Sequence, residues 1–350
     1  MTRLLFQTHN RRGLGHLMRG LNLARAVRRL EPDADILFYA RNKSADSLCG
    51  PAFRAFVEPD DHGTPHWPEL MRAFAPDVVI YDTMLPKDPS TEAAVTGARR
   101  VYVMRKMRDE KQDGVFSHPF LDCIDLVLIP HTRDEFDHVL PPDLDARSAF
   151  VGPIIRQPEP ANQDRLRVTY GIEPGAFVLT STVGGGGFAE QAEAFFRAAY
   201  AVHHRLAPRM PRLRHLVIQG PNFAGTLAPL PGMTVVDYEP DLIDLLALSD
   251  LVIAEGGYNT VNEVRVAKTP AVFLPSPRNL DDQEERVRAL EQRGLAAVSD
   301  AEDPEAVAAR VEALVTSPTW LDEVRRRYAD DQPHTGNQAA AERILGLVGQ

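Results

Sequence analysis

Long apolar runs are absent from this sequence. Within its 350 residues, no segment approaches the roughly 18 consecutive apolar residues of a membrane span. The chain starts with Thr2 and Arg3 ahead of a short apolar strand, and not with the apolar block of a secretory signal peptide. We therefore expect a cytoplasmic protein without a transmembrane segment, for which peripheral contact with a membrane stays open.

Cysteine is scarce. The two cysteines, Cys49 and Cys123, are too far apart for a CxxC metal or redox pair, and both lie beside apolar residues. We expect reduced thiols in the core.

An excess of positive charge is also missing. The 39 Lys and Arg residues are outnumbered by 49 Asp and Glu residues. Up to Arg156 the counts are 21 against 22, which leaves 18 against 27 for the remainder. Because nucleic-acid binding needs a basic face, we exclude a nucleic-acid partner. A phosphate site in the second half would have to rely on backbone amides and helix ends.

Short apolar runs alternate with amphipathic stretches along the whole chain. The longest helical pattern runs from Leu14 to Leu30. The strand candidates are residues 4–8, 35–40, 77–82, 100–104, 125–130 and 149–152 in the first half, and 177–181, 215–220, 234–238, 250–255, 271–275 and 296–298 in the second. Apolar strands that alternate with helices indicate parallel sheets covered on both faces.

The pattern predicts an α/β protein of two doubly wound, Rossmann-like domains. A proline-rich linker without periodicity, Gly152 to Asp164, marks the join. We assign residues 1–155 to the first domain and residues 156–350 to the second, with the last helix able to return to the first. Because open α/β sheets bind ligands at the carboxyl ends of their strands, we expect the chemistry in a cleft between the domains.

A run of four glycines follows a strand of the second half. The residues are Gly184, Gly185, Gly186 and Gly187. Several glycines let the backbone bring N–H groups close to one anion at the positive end of a helix, which predicts a diphosphate cradle. The alternative is a tight turn between a strand and a helix.

A second set of polar residues follows later strands. Gly256, Gly257 and Thr260 offer N–H and hydroxyl donors to phosphate, and the carboxylate of Glu263 can accept both hydroxyls of a ribose. Asp282 and Gln283 begin another helix and could bond to sugar hydroxyls, although such a pair is also common on surfaces.

Together these motifs resemble a known pattern. The glycine run, then "GGYNTVNE", then a strand and "DDQ" is similar to the C-terminal nucleotide-sugar domain of GT-B glycosyltransferases of the family 28 (MurG-like) type. Within that type, the chain is most similar to bacterial glycosyltransferases with "GGYNT" followed by a glutamate. The opening "GLGHLMRGLNLA" resembles the first glycine loop of the same family, where a histidine follows the glycines.

The resemblance implies a hexosyltransferase-like enzyme that uses a nucleotide diphosphate sugar, in particular a UDP-sugar. It implies that Gly184 to Gly187 hold the diphosphate, supported by Gly256, Gly257 and Thr260. Glu263 would bind the ribose, Asp282 and Gln283 the donor sugar, and the backbone of residues 220–223 the uracil. No cofactor is implied, and the acceptor is a small molecule or a lipid-linked one.

The first glycine loop then has a catalytic interpretation. Gly13 and Gly15 keep the turn low for an acceptor, and His16 begins a helix where it can take a proton from an acceptor hydroxyl. Asp82, at a strand end, is a candidate to orient His16. The alternatives are a histidine that caps the loop and an aspartate that caps a helix.

Other interpretations stay open. Seven residues separate Glu255 from Glu263, the spacing of paired glutamates in retaining GT-B enzymes, although the resemblance favours inversion. "GLGHLMR" is also similar to the loop of GT-B-fold nucleotide-sugar hydrolases of the pseudaminic acid pathway. A non-catalytic nucleotide-sugar-binding protein is a third interpretation.

Two remaining clusters are weaker. His62 and His66 flank a Gly-Thr-Pro segment that breaks any helical face, so we assign no metal. The basic stretch Arg99 to Lys111 could receive a phosphorylated acceptor, or it is a solvated loop.

Overall fold

The computed structural model describes residues 1–8, 13–59, 66–86, 97–278, 282–317, 319–331 and 333–349. The chain forms two compact units. Met1–Ile155 and His334–Gln350 make up the first, or N-terminal, unit. Arg156–Pro333 make up the second, or C-terminal, unit.

The N-terminal unit contains a parallel sheet. Its described strands are β1 (Arg3–Thr8), β2 (Asp35–Ala40), β3 (Arg54–Val57), β4 (Val78–Asp82), β5 (Arg99–Val103), β6 (Leu126–Ile129) and β7 (Ser148–Phe150). Its described helices are α1 (Gly15–Leu30), α2 (Ala45–Cys49), α3 (His66–Phe74), α4 (Asp109–Phe116) and α5 (Pro142–Asp145), with a 3₁₀ turn at Pro119–Cys123. The strand order is β3-β2-β1-β4-β5-β6-β7, so the direction of winding changes between β1 and β4.

Both faces of this sheet are buried. In β1, Leu4 and Phe6 enter the apolar core beneath α1, while Leu5 enters the core on the opposite face. Continuous apolar strands of this kind are stable only when helices cover the sheet on both sides. The predicted strands are found within one or two residues, and β3 is the one that was missed. It is a short edge strand whose first residue, Arg54, is exposed and whose other residues are only partly buried.

The C-terminal unit repeats this architecture. Its described strands are β8 (Phe177–Thr182), β9 (Leu213–Ile218), β10 (Met233–Val236), β11 (Leu251–Ala254), β12 (Ala271–Phe273) and β13 (Ala297–Val298). Its described helices are α6 (Pro160–Thr169), α7 (Ala189–Leu206), α8 (Leu242–Leu248), α9 (Tyr258–Ala267), α10 (Gln283–Gln292), α11 (Pro304–Thr316) and α12 (Trp320–Asp330). The order β10-β9-β8-β11-β12-β13 changes direction between β8 and β11. The prediction of two doubly wound α/β domains is confirmed.

The last helix, α13 (Asn337–Leu345), belongs to the N-terminal unit. It packs on α1, where Ala340, Ala341 and Ile344 complete the apolar core. The segment before it contacts residues near Ile155, where the chain leaves the N-terminal unit: the N–H of Gly336 donates to the carbonyl of Pro153 at 2.6 Å. A Cβ on Gly336 would lie 2.5 Å from the carbonyl oxygen of Gly152, so only glycine allows this approach. The second unit therefore ends at Pro333.

Within the described ranges, no helix has both the length and the apolarity that a bilayer crossing requires.

Candidate functional site

The change of winding direction in each sheet marks the place where a ligand is expected. At such a switch point the loops that follow neighbouring strands diverge and leave a crevice. In the N-terminal unit the two strands are β1, which leads into α1, and β4, which ends at Asp82. In the C-terminal unit they are β8, followed by the glycine run, and β11, followed by Glu255. The predicted site residues therefore fall at both switch points.

His16 and Asp82 are in contact. His16 is the second residue of α1, and its Nδ1 lies 2.7 Å from Asp82 Oδ1. The histidine side chain is 14% exposed and the aspartate side chain 3% exposed. A buried carboxylate thus fixes the ring of a histidine that solvent can still reach.

Arg19 holds the same carboxylate from the other side. Its Nε donates to Asp82 Oδ2 at 2.9 Å, and its Nη2 donates to Asp82 Oδ1 and, at 3.0 Å, to Thr83 Oγ1. Burial alone would raise the pKa of the Asp82 carboxyl, but the Arg19 charge and the His16 hydrogen bond outweigh it and hold that pKa well below its usual range. An ionised carboxylate can only accept hydrogen bonds, so a neutral His16 carries its hydrogen on Nδ1 and keeps Nε2 as the acceptor.

The glycine run folds into a tight loop before α7. Gly184 and Gly186 have positive φ angles of 68° and 70°. A Cβ on Gly186 would lie 2.5 Å from the carbonyl oxygen of Gln219, and one on Gly220 would lie 2.5 Å from that of Gly184. Glycine is therefore required where these loops meet. The loop of residues 220–223, the predicted uracil region, is the segment that touches the glycine run, with Asn222 N donating to Gly185 O at 3.1 Å.

The second glycine pair precedes α9. Gly257 is the N-cap of this helix, and a Cβ on Gly184 would lie 3.6 Å from Thr260 Oγ1. Gly256 lies against the start of α10, since its Cβ would lie 3.1 Å from Gln283 Cβ. The structure thus brings the glycine run, the "GGYNT" segment and Gln283 together at one edge of the sheet.

Glu263 lies further along α9. The side chain is partly buried and makes no hydrogen bond or ion pair with the described residues. Desolvation raises the pKa of its carboxyl to about 7, although the charge of Arg156 opposes the shift. A carboxylate without a hydrogen-bond partner among the described residues is suited to accept hydroxyls from a ligand.

Glu255 has partners that Glu263 lacks. Its Oε2 accepts from Arg278 Nη2 at 2.9 Å, and its Oε1 accepts from Ser276 Oγ at 3.0 Å. Burial raises the pKa of Glu255, while Arg278 and Ser276 oppose the shift. The Arg278 guanidinium also stacks 4.0 Å from the ring of Phe188, the residue after the glycine run. Glu255 is thus tied into an ion pair across the loops.

Asp282 and Gln283 have roles within the protein. Asp282 is the N-cap of α10, where its Oδ1 accepts from Glu285 N at 2.9 Å. Gln283 is buried, and its Oε1 accepts from Ser276 N at 3.1 Å. Their predicted contact with the donor sugar stays a prediction.

Comparison with known proteins shows what this chain is similar to. Residues 184–336 match the model of the glycosyltransferase family 28 C-terminal domain. The UDP-N-acetylglucosamine–N-acetylmuramyl-(pentapeptide) pyrophosphoryl-undecaprenol N-acetylglucosamine transferase of Symbiobacterium thermophilum is 26% identical over 96% of the chain and 94% of its own length. The MurG crystal structure from Acinetobacter baumannii superposes with a TM-score of 0.60 at 13% identity, over 99% of this chain and all of that one, which shows a shared fold.

The C-terminal unit is thus similar to the donor domain of the family 28 glycosyltransferases, and the whole chain is similar to GT-B glycosyltransferases. An uncharacterized glycosyltransferase of Methanopyrus kandleri is 29% identical over 55% of the chain, and the chain spans about half of that relative, 54% of its length.

Three arginines were missed by the sequence interpretation. Arg19 pairs with Asp82, and Arg278 pairs with Glu255. Arg156 pairs with Asp241 and Asp244, and it acts on Glu263 only through its charge. From the counts of charged residues we predicted few cations at the phosphate site. Composition does not show where single charges lie, so these arginines were not anticipated. A spacing signal existed for Arg19, which is three residues after His16 and so faces the same side of a helix.

The weaker clusters are separated or incomplete. Arg99 begins β5 and pairs with Asp125 at 2.9 Å, whereas Lys106 follows the other end of β5 and pairs with Asp137 at 2.9 Å. The basic stretch is therefore divided between the two ends of β5, at opposite ends of the parallel strands. His62 lies outside the described residues. In the part of the chain that the structure describes, no three His, Cys, Asp or Glu side chains are grouped as metal ligands would be.

Proposed function

We propose that this glycosyltransferase moves a sugar from a UDP-sugar to an acceptor hydroxyl, with inversion at the anomeric carbon and without a metal ion. The C-terminal unit binds the donor, and the N-terminal unit supplies the base. The match to the family 28 C-terminal domain supports the donor assignment, and the UDP-N-acetylglucosamine in the name of the Symbiobacterium relative supports UDP.

The contact between His16 and Asp82 carries the proposal. With Nδ1 bonded to the carboxylate, Nε2 takes the proton of the acceptor hydroxyl while that oxygen attacks the anomeric carbon. The bond from that carbon to the diphosphate breaks, and the nucleotide diphosphate leaves. Attack on the face opposite the leaving group inverts the configuration.

The leaving diphosphate needs charge stabilisation. The N-terminal ends of α7 and α9, with the glycine run and Thr260, present N–H and hydroxyl donors to it. This donor set makes a metal ion unnecessary, and the carboxylate of Glu263 binds the ribose hydroxyls. We propose no resident cofactor.

For the acceptor, only a chemical class is proposed. The name of the Symbiobacterium relative refers to a lipid-linked acceptor. We propose a hydroxyl acceptor, small or lipid-linked, and peripheral membrane contact in the second case.

Substitution of the base tests the proposal. His16→Ala should reduce transfer by about 10² to 10⁴, the usual contribution of an acid–base group, while UDP-sugar affinity in titration calorimetry stays unchanged. The exposed His204 of α7 provides the control, since His204→Ala should leave the rate unchanged. Undiminished transfer by His16→Ala would remove His16 from the reaction.

The product and the acceptor requirement test the reaction type. Proton NMR should show a β linkage formed from an α-linked donor, and a retained α linkage would instead favour the pair of Glu255 and Glu263. Release of free sugar at full rate without an acceptor would favour the hydrolase, and absence of turnover with intact donor binding would favour a binding protein.

A further inference from the structure

The side chain of Arg19 is one of the most deeply buried charges of the N-terminal unit. It is 3% exposed and lies one helical turn after His16 on α1. Burying a guanidinium is unfavourable unless it is paired and hydrogen-bonded. Arg19 meets this condition through both oxygens of Asp82 and through Thr83.

Asp82 accepts four hydrogen bonds from three side chains. Oδ2 accepts from Arg19 Nε, and Oδ1 accepts from His16 Nδ1, from Arg19 Nη2 and, at 3.0 Å, from Thr83 Oγ1. Both oxygens are therefore engaged, and Oδ1 is fully used. The carboxylate therefore cannot rotate without losing several hydrogen bonds, and the ring of His16 is fixed through it.

The charges of the cluster must also be balanced. A lone carboxylate beside an imidazole favours the protonated ring, which cannot accept a proton. The guanidinium on the opposite side of Asp82 cancels part of that effect. The neighbouring Tyr102 donates its hydroxyl to the carbonyl of Thr83 at 2.9 Å, and Arg105 is a further charge that acts on Tyr102.

We propose that Arg19 is a positioning residue for glycosyl transfer. It fixes the orientation of Asp82 and balances the carboxylate charge, so that His16 meets the acceptor hydroxyl as a neutral base. This inference rests on the proposed role of His16.

The pH–rate profile distinguishes this role from a structural one. Arg19→Met leaves the carboxylate unbalanced and free to rotate, so kcat/KM should fall at every pH, and the acid limb of the profile should move up by about one pH unit. The loss should therefore be up to about 10-fold larger at acidic pH than at pH 9. Arg19→Lys, which keeps the charge but not the two-point contact, should keep the position of the acid limb and lose rate at every pH.

A paired variant protects the test against misfolding. Arg19→Met/Asp82→Asn leaves no unpaired buried charge and should have the pH profile of Asp82→Asn alone, because Arg19 acts through Asp82. Arg29→Met, an exposed arginine on the same helix, is the control and should match the unaltered protein. UDP-sugar affinity should not change in any of these variants.

The outcomes separate the two claims. A loss by Arg19→Met that is the same from pH 6 to pH 9, or a double variant much slower than Asp82→Asn, would overturn the positioning role. If His16→Ala retains full activity, the proposed base is wrong whatever Arg19 does. An inactive His16→Ala together with a pH-independent loss in Arg19→Met would overturn the inference on Arg19 alone.

Discussion

The two units place their candidate groups at the same position of the same kind of sheet. The N-terminal unit uses side chains there, whereas the C-terminal unit uses mainly backbone. At the switch point of the N-terminal unit, three side chains, His16, Asp82 and Arg19, contact one another. At that of the C-terminal unit, the glycine run and the loop at residues 219–223 bring backbone close to backbone, and the Thr260 hydroxyl lies beside Gly184. A proton acceptor needs a ring held by fixed polar partners, whereas an anion needs several N–H groups and a positive helix end. The difference fits a base in one unit and a donor site in the other.

The largest effect in the C-terminal unit should come from its backbone. Gly186→Val places a branched side chain at a positive φ and against the carbonyl of Gln219, so UDP-sugar affinity should fall by at least about 100-fold. Isothermal titration measures this loss. Gly171→Val is the matched control, since Gly171 also has a positive φ but nothing near its Cβ. Normal donor binding by Gly186→Val would place the diphosphate elsewhere.

Glu263 is the side chain on which the donor site should depend most. Glu263→Gln should weaken UDP-sugar binding by roughly 1.5 to 3 kcal/mol, the range for hydrogen bonds to a charged group. Because the carboxylate accepts the ribose hydroxyls only when ionised, affinity in the unaltered protein should increase as pH rises through about 7. The variant should lose that pH dependence, and the exposed Glu323→Gln should keep it. An unchanged affinity would remove Glu263 from the ribose.

The same carboxyl should also affect stability. Its pKa is about 7 in the folded unit, against roughly 4.3 in an unfolded chain. Between these values the folded state holds a proton that the unfolded state has lost, so the free energy of unfolding should decrease as pH rises from about 4.3 to 7. In denaturant titrations, the free energy of unfolding of Glu263→Gln should decrease less over this pH range than that of the unaltered protein, by about 1 to 3 kcal/mol. Identical slopes would contradict the raised pKa.

The smallest effect is expected at Asp282, where substitution distinguishes a role as a helix cap from a contact with the sugar. Asp282→Ala removes the N-cap of α10 and should lower the free energy of unfolding by about 1 kcal/mol. Thermal unfolding with and without UDP-sugar measures both roles. A loss of donor affinity larger than the loss of stability would confirm the predicted sugar contact of Asp282.

The sequence was more informative about backbone than about side-chain partners. Parallel strands and glycine loops are local patterns, so the fold and the glycine run could be predicted from neighbouring residues. The contact of His16 with Asp82 spans 66 positions, and only the strand-end rule connected the two. Arg278 was missed because its partners, Glu255 and Phe188, lie 23 and 90 positions away, and nothing local indicates such pairs. The short edge strand β3 was missed although residues 55–57 are apolar, because a run of that length is not specific to a strand.

The return of α13 to the N-terminal unit has a consequence for how this protein can be divided. Because Gly336 touches Gly152 and Pro153, the chain leaves the N-terminal unit and re-enters it at neighbouring points. The C-terminal unit is therefore an insertion within the first, bounded by two adjacent crossings. A gene fragment for residues 156–333 encodes a continuous, self-contained domain. A fragment for residues 1–155 alone would expose the apolar face of α1 and aggregate, whereas joining residue 155 to residue 334 with a short loop should give a soluble first domain.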